Sequence, residues 1–352
     1  MDFSYKFPAV KGRQAGKDYY ITMIPLKHLI RILPEPTEYI PPEYRAQRRL
    51  NETRIPEIKN YIIDNRNSYV FSSLTASIDG DFIFHADDGN ESLGILEISM
   101  DSKILINDGQ HRRAAITQAL IDDETLGDET ISVVFFADKG LKNSQQMFTD
   151  LNKHAVKTSN SISELYDSRD EVAIATREVV DSIPFLSSYT DKEKDNLGKY
   201  SSNLFTLNMF YAANKRIVKN IKKRSDYEKV LKAYWTLIAE NITEWNEVQN
   251  KTLSKVDVRE NYVITQAVII KAFGIVGEYY VKHRDVINEK NFQKLRTVNW
   301  KRSNSELMGR IVNEKGRIIN GEGAIILAAN YIKKELGFEL DDLEIEREKM
   351  MK

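Results

Sequence analysis

Six consecutive residues carry the densest chemistry in this chain: Asp108, Gly109, Gln110, His111, Arg112 and Arg113. An extended stretch, "KILIN", leads into them, and an alanine-rich helical stretch, "AAITQAL", follows. Asp-Gly permits a turn with positive φ, in which backbone can approach a ligand closely. The first turn of a helix directs unpaired N–H groups outward and carries partial positive charge. Placing His111, Arg112 and Arg113 there is unfavourable unless an anion compensates, and a bound phosphate would do so. The alternative is that Arg112 or Arg113 pairs with a structural carboxylate while Gly109 only turns the chain.

Two further constellations stand beside this one. In "SQQMFTDLNKHAVKTSNSISELYDSRD", Met147, Phe148 and Leu151 read as the buried side of a short helix. Asp150 and Asn152 near its end offer oxygen ligands of the kind magnesium takes, and Lys153, His154 and Lys157 could meet phosphate. The alternative there is a helix C-terminus with lysines placed favourably against its dipole. The other constellation is positive charge. Arg45, Arg48 and Arg49 fall at spacings that share a helix face, with Arg54 further on. Lys215, Lys219, Lys222 and Lys223 read as one face of an amphipathic helix, opposite Ile217, Val218 and Ile221. Such stripes can track a nucleic-acid backbone, although most are solvated faces.

Composition narrows the chemistry. The 352 residues contain no cysteine, which excludes disulfides, thiolate metal sites and a cysteine nucleophile. The five histidines form no ligand pair, so neither zinc nor a redox cofactor is expected. A net charge of −1 means that any nucleic-acid contact must come from local patches. The sequence shows no apolar leader and no membrane-length apolar run, so a cytoplasmic protein without membrane partners is expected.

The elements that must position these residues follow from periodicity. Asp18–Ile24, Tyr69–Ile78, Phe82–Phe84 and Ile131–Ala137 read as strands, and "ILEIS" and "KILIN" as a hairpin around 100–102. Within Pro41–Asn65, Ile55, Ile58 and Ile62 recur at a helical period. Beyond Ser161, apolar spacings of three and four predict helices over Glu171–Val180, Leu204–Val218, Tyr227–Glu247, Tyr262–Val281 and Gly323–Leu336. The polar stretch Ser187–Ser202 reads as a mobile loop, and the charged C-terminus as a frayed end or short surface helix. The expected class is α+β, with a mixed-sheet domain over 1–160 and a mostly helical domain over 161–352.

The segment "NDGQHRRAAI" resembles the signature of the DGQHR-domain proteins, a branch of the ParB/sulfiredoxin-like superfamily. Three further blocks extend the resemblance, two to that family and the last to the end of the DndB family of DNA sulfur modification proteins, and the four together resemble the DndB family. The three are "RIPEIKNYIIDNRNSYVFSSLTASIDG", "FTDLNKHAVKTSNSISELYDSRD" and "NWKRSNSELMGRIVNEKGRIINGEGAIILAANYIKKELGFEL". The resemblance implies a ParB/sulfiredoxin-like N-terminal fold and a place in the phosphorothioate system, where sulfur replaces a non-bridging oxygen of the DNA backbone. It also implies a DNA-binding negative regulator whose Gly109, His111 and Arg112 contact nucleotide phosphate, with Asp150, Asn152 and Lys153 beside them. Sulfiredoxins carry a reactive cysteine where this chain has Gln110, so their chemistry is excluded. No helix-turn-helix is recognisable in the second half.

Two functions are compatible with these residues. One is a repressor that binds double-stranded DNA, gated by ATP or CTP with magnesium. The other is a nucleotide hydrolase, with or without DNA nicking, for which Asp108, Asp150 and His111 are the nearby candidates. Expected partners are DNA and other sulfur modification proteins; a homo-oligomer is an open alternative.

Overall fold

The computed structural model describes residues 3–33, 52–137, 158–198 and 201–351. The chain divides into two compact units, Met1–Val156 and Lys157–Lys352. It is an α+β protein, with a mixed sheet in the first part and helices in the second.

In the first unit, β1 (Ser4–Gln14) and β2 (Lys17–Pro25) form a hairpin and lead into α1 (Leu26–Ile32). Then come α2 (Ile55–Asp64), β3 (Leu74–Asp79), β4 (Phe82–Asp87), β5 (Asn90–Ser99) and β6 (Lys103–Asp108). The unit continues with α3 (Gln110–Asp122) and β7 (Thr130–Ala137). The strand order is β4-β5-β1-β2-β7-β3-β6, antiparallel except where β3 runs parallel to β7. Alternation along the strands turns Ile24, Leu74, Ala76, Ile78, Val133 and Phe135 to one face. They share a core with Leu29 and Ile32 of α1, Ile62 of α2, and Ile116 and Ala119 of α3.

The hairpin expected between "ILEIS" and "KILIN" does not form. Strand β5 pairs with β1 on one edge and β4 on the other, so it has no edge left for β6, which pairs with β3 instead. A second hairpin, after that of β1 and β2, closes instead between β4 and β5, where Gly89 has φ 85°.

The second unit contains α4 (Asn160–Tyr166), α5 (Glu171–Ser182) and α6 (Pro184–Tyr189), then a short parallel pair, β8 (Thr190–Asp191) with β9 (Phe205–Thr206). It continues through α7 (Leu207–Ile217), α8 (Tyr227–Asn241), α9 (Thr243–Gln249) and α10 (Lys255–Asn261). Its last helices are α11 (Ala267–Lys282), α12 (Glu289–Gln293), α13 (Glu322–Leu336) and α14 (Asp342–Lys349). Trp235, Trp245 and Trp300 are fully buried in its core. Helices α7 and α11 cross closely: a Cβ on Gly274 would lie 2.8 Å from the Ala213 backbone. Where the helices cluster, Asn214 accepts from Trp235 Nε1 at 2.7 Å and donates to Thr176 Oγ1 at 2.9 Å. Three helices are thus tied through one satisfied polar chain.

Three helices differ from their expected extents; α7 begins only at Leu207, because Phe205–Thr206 pairs as β9. The periodic run Tyr227–Glu247 breaks at Ile242, which is extended (φ −89°, ψ 109°), while Asn241 caps back to the Leu237 carbonyl and accepts from Arg296. Tyr262–Thr265 is not helical; Tyr262 bridges Lys301 and Val263 N–H donates to the Trp300 carbonyl. The described part of the expected mobile loop is tethered. Asp191 accepts from the Glu193 and Lys194 N–H groups, and Asp195 accepts from Asn160 and Ser161 at the start of α4.

Candidate functional site

Strand β6 ends at Asp108, and Gly109 turns the chain into α3 with φ 97° and ψ 16°. The position favours glycine on two counts. The dihedrals are left-handed, and a Cβ would sit 2.3 Å from Leu74 Cδ2. The helix therefore starts without a side-chain cap.

Arg112 faces back toward this turn. One guanidinium nitrogen donates to Asp108 Oδ2 at 2.7 Å; the other donates to the Ser72 hydroxyl and carbonyl and, at 3.1 Å, to the Ser73 carbonyl. The Arg112 side chain is only 16% exposed. The carboxylate-pair alternative thus describes Arg112, and its contacts hold the end of β6, the start of α3 and the approach to β3 in one geometry. Gln110 and Arg113 are buried.

A second element arrives at the same place. Ile55 and Ile58 of α2 pack on Ala114 and Ala115 of α3. Lys59 Nζ reaches Asp122 Oδ2 at 2.6 Å. Arg54, at the start of α2, stands close enough to His111 for its charge to act on the imidazole. Helices α2 and α3 therefore run in the same sense and begin side by side. Two positive dipole ends, the exposed Arg54 and the half-buried His111 converge there. Burial, and then the Arg54 charge, lower the His111 pKa below its ordinary value. A positive edge of this kind suits an oxyanion. Sequence reading grouped Arg54 with Arg45, Arg48 and Arg49, which lie outside the described residues; the helical period that begins at Ile55 was the clue that sets Arg54 at the start of α2.

The other sequence-derived positions are placed as follows. Arg45, Arg48, Arg49, Asp150, Asn152 and Lys153 lie outside the described residues. Lys215, Lys219, Lys222 and Lys223 are exposed, but they are not one helical stripe. Helix α7 ends at Ile217, Lys219 lies in a 3-10 turn over Val218–Asn220, and the chain then extends through Ile221 to Lys223. Asn220 Nδ2 donates to Glu278 Oε1 at 2.9 Å, which pins that turn to α11 and stops the helix. Lys215 lies over the Tyr211 ring; burial raises the Glu278 carboxyl, but Lys282 first, then Asn220 and Lys219, hold it below its usual range.

A carboxylate cluster in the second unit escaped the sequence reading. Glu164 is buried with Oε2 unpartnered, near Asp195 and Asp170. Burial first, then those two charges, push its pKa up to about 7. Asp170 accepts from Tyr211 and from the first N–H groups of α5. Among the described residues, no group of three or more acidic or histidine side chains is arranged to hold a metal ion.

Residues 7–339 match the DndB family, described as DNA-sulfur modification-associated. The chain belongs to the DndB family. The match spans both units and includes the Gly109 turn and the Arg54–His111 edge. DndB membership places the protein in a DNA sulfur modification system. No curated protein and no solved structure matches the chain. Among the described residues, no helix is long and apolar enough to cross a membrane.

Proposed function

We infer that this protein is a DNA-binding regulator of a DNA phosphorothioate modification system and that it carries a nucleotide-phosphate site where α2 and α3 begin. The observation that carries the phosphate site is the packing of α2 on α3, which sets the Arg54 end of one helix beside the His111 end of the other and its glycine turn. The ligand's phosphate oxygens would face the two helix starts, with Arg54 as a charged donor and His111 as a hydrogen-bonding partner. Arg112 acts here as a positioning residue, through Asp108 and Ser72. ATP and CTP, with magnesium, are the nucleotides to test. Asp150, Asn152 and Lys153 are proposed to complete the site on the strength of the family resemblance.

DNA contact is proposed for the exposed lysines 215, 219, 222 and 223 and for the arginines 45, 48 and 49, which would bind phosphates without reading bases. Repression requires binding, whereas hydrolysis also requires a positioned water and usually a metal. The deciding experiment titrates ATP and CTP with and without magnesium, then follows phosphate release with and without duplex DNA. The regulator reading expects nucleotide and DNA binding without turnover. DNA-stimulated phosphate release would overturn it in favour of a nucleotide hydrolase.

A further inference from the structure

The C-terminal helix α14 has its polarity reversed. A surface helix ordinarily buries an apolar stripe and shows charge to solvent. Here Leu343 and Ile345 are exposed at 77% and 41%, and the buried residue of the helix is Glu344. What holds α14 is charge. Glu344 pairs with Lys333 of α13, and both side chains are under 10% exposed. Glu348 binds Arg310 through both carboxylate oxygens and Lys334 at 2.6 Å, and also accepts from Asn330 at 3.1 Å. Burial pushes the Glu348 carboxyl up, but these donors outweigh it and hold its pKa at about 2.

Two carboxylates, one helical turn apart, thus occupy three cations drawn from two segments. Desolvation offsets much of the attraction in buried pairs of this kind, so the clamp is strong in charge and modest in net stability. Another polyanion presenting oxygens to the same cations can replace it. Arg310, Lys333 and Lys334 lie within the stretch that matches the family, residues 7–339, while Glu344 and Glu348 lie beyond it.

We propose that Arg310, Lys333 and Lys334 form a binding surface for the phosphate backbone of duplex DNA, and that α14 covers it as an acidic stand-in for that backbone. The proposal rests on the DNA-binding reading above. DNA binding displaces α14, so the cover acts as a competitor built into the chain, and affinity is lower with the helix docked than with it released.

The test uses the full chain and a short duplex, with affinity measured across about 50–200 mM salt. Glu348→Gln frees Arg310 and Lys334. Glu346→Gln removes the same charge from an exposed position on the same helix and serves as control. Glu348→Gln is expected to bind more tightly than Glu346→Gln and to steepen the log–log salt slope by about 2, near 0.9 for each released cation. Adding Arg310→Ala and Lys334→Ala should abolish that gain. In the unmodified protein, saturating DNA should speed hydrogen exchange of the 342–349 amides, a readout that requires no variant to fold. Equal behaviour of the two glutamate variants, or undiminished protection of α14 under DNA, would overturn the cover while leaving DNA binding intact. Absence of DNA binding by wild type and both variants at low salt would remove the DNA reading together with this one.

Discussion

Arg112 and Asp108 are joined at 2.7 Å across the Gly109 turn, and the same guanidinium reaches the Ser72 and Ser73 carbonyls. An arginine at the head of a helix looks like a ligand-binding residue, yet this one is turned inward and organises the turn. The proposed phosphate contacts therefore fall to its neighbours, and the two roles separate experimentally.

Replacing Arg112 should act on stability first. Arg112→Ala removes charge-assisted bonds that a largely buried side chain makes to Asp108, Ser72 and Ser73. The expected loss is about 2–3 kcal/mol, measured by urea denaturation. Asp108→Asn, which keeps a hydrogen-bond acceptor, should cost less. A fully stable Arg112→Ala protein would contradict the latch.

Glu164 should make stability fall as pH rises. Its folded pKa is about 7 against an ordinary 4.5, so between those values the folded state holds a proton that the unfolded chain releases. Stability from this group is complete below about pH 4.5 and is lost as pH climbs through 7. Asp195 and Asp170, the two acidic neighbours, each accept from backbone N–H groups. Glu164→Gln should therefore gain about 3 kcal/mol over wild type at pH 8 and close to nothing at pH 4. A gain that is flat with pH would show that Glu164 is not the titrating group.

His111 should link anion binding to protons. In the free protein its pKa lies below 6.5, partly because Arg54 opposes the imidazolium. A bound phosphate offsets that charge and raises the pKa, so binding takes up a proton. Affinity should then increase as pH falls through and below 6.5, and His111→Asn should remove the part of the increase not due to the phosphate itself. Identical pH profiles for wild type and His111→Asn would exclude the linkage.

The legibility of this chain followed the range of its interactions. Short-range signals were readable: the strand-turn-helix around Gly109, the aromatic, β-branched and apolar runs of β2 and β7, and the periodicity of α5 and α13. Pairings set by competition for sheet edges were not. "ILEIS" and "KILIN" are adjacent in sequence and look like a hairpin, but β1 and β4 already take both edges of β5. The run at Tyr262 has helical spacing, and only its bridge to Lys301 and hydrogen bond to Trp300 reveal the extended backbone. Arg54 and His111 meet because two helices start side by side, a tertiary fact with no local signature. The pairing of Arg112 was visible as one of two alternatives, and its hydrogen bonds to Asp108 and Ser72 are the feature that favours it.

The central claim, that the edge formed by Arg54 and His111 receives a nucleotide phosphate, is tested most directly by calorimetric titration of ATP and CTP into wild type and an Arg54→Ala/His111→Ala variant of unchanged melting temperature. Wild type is expected to bind, and the variant to lose at least about 1.5–3 kcal/mol, the range for one charge-assisted hydrogen bond. Equal affinity in a folded variant, or no binding of either nucleotide by wild type, would contradict the account.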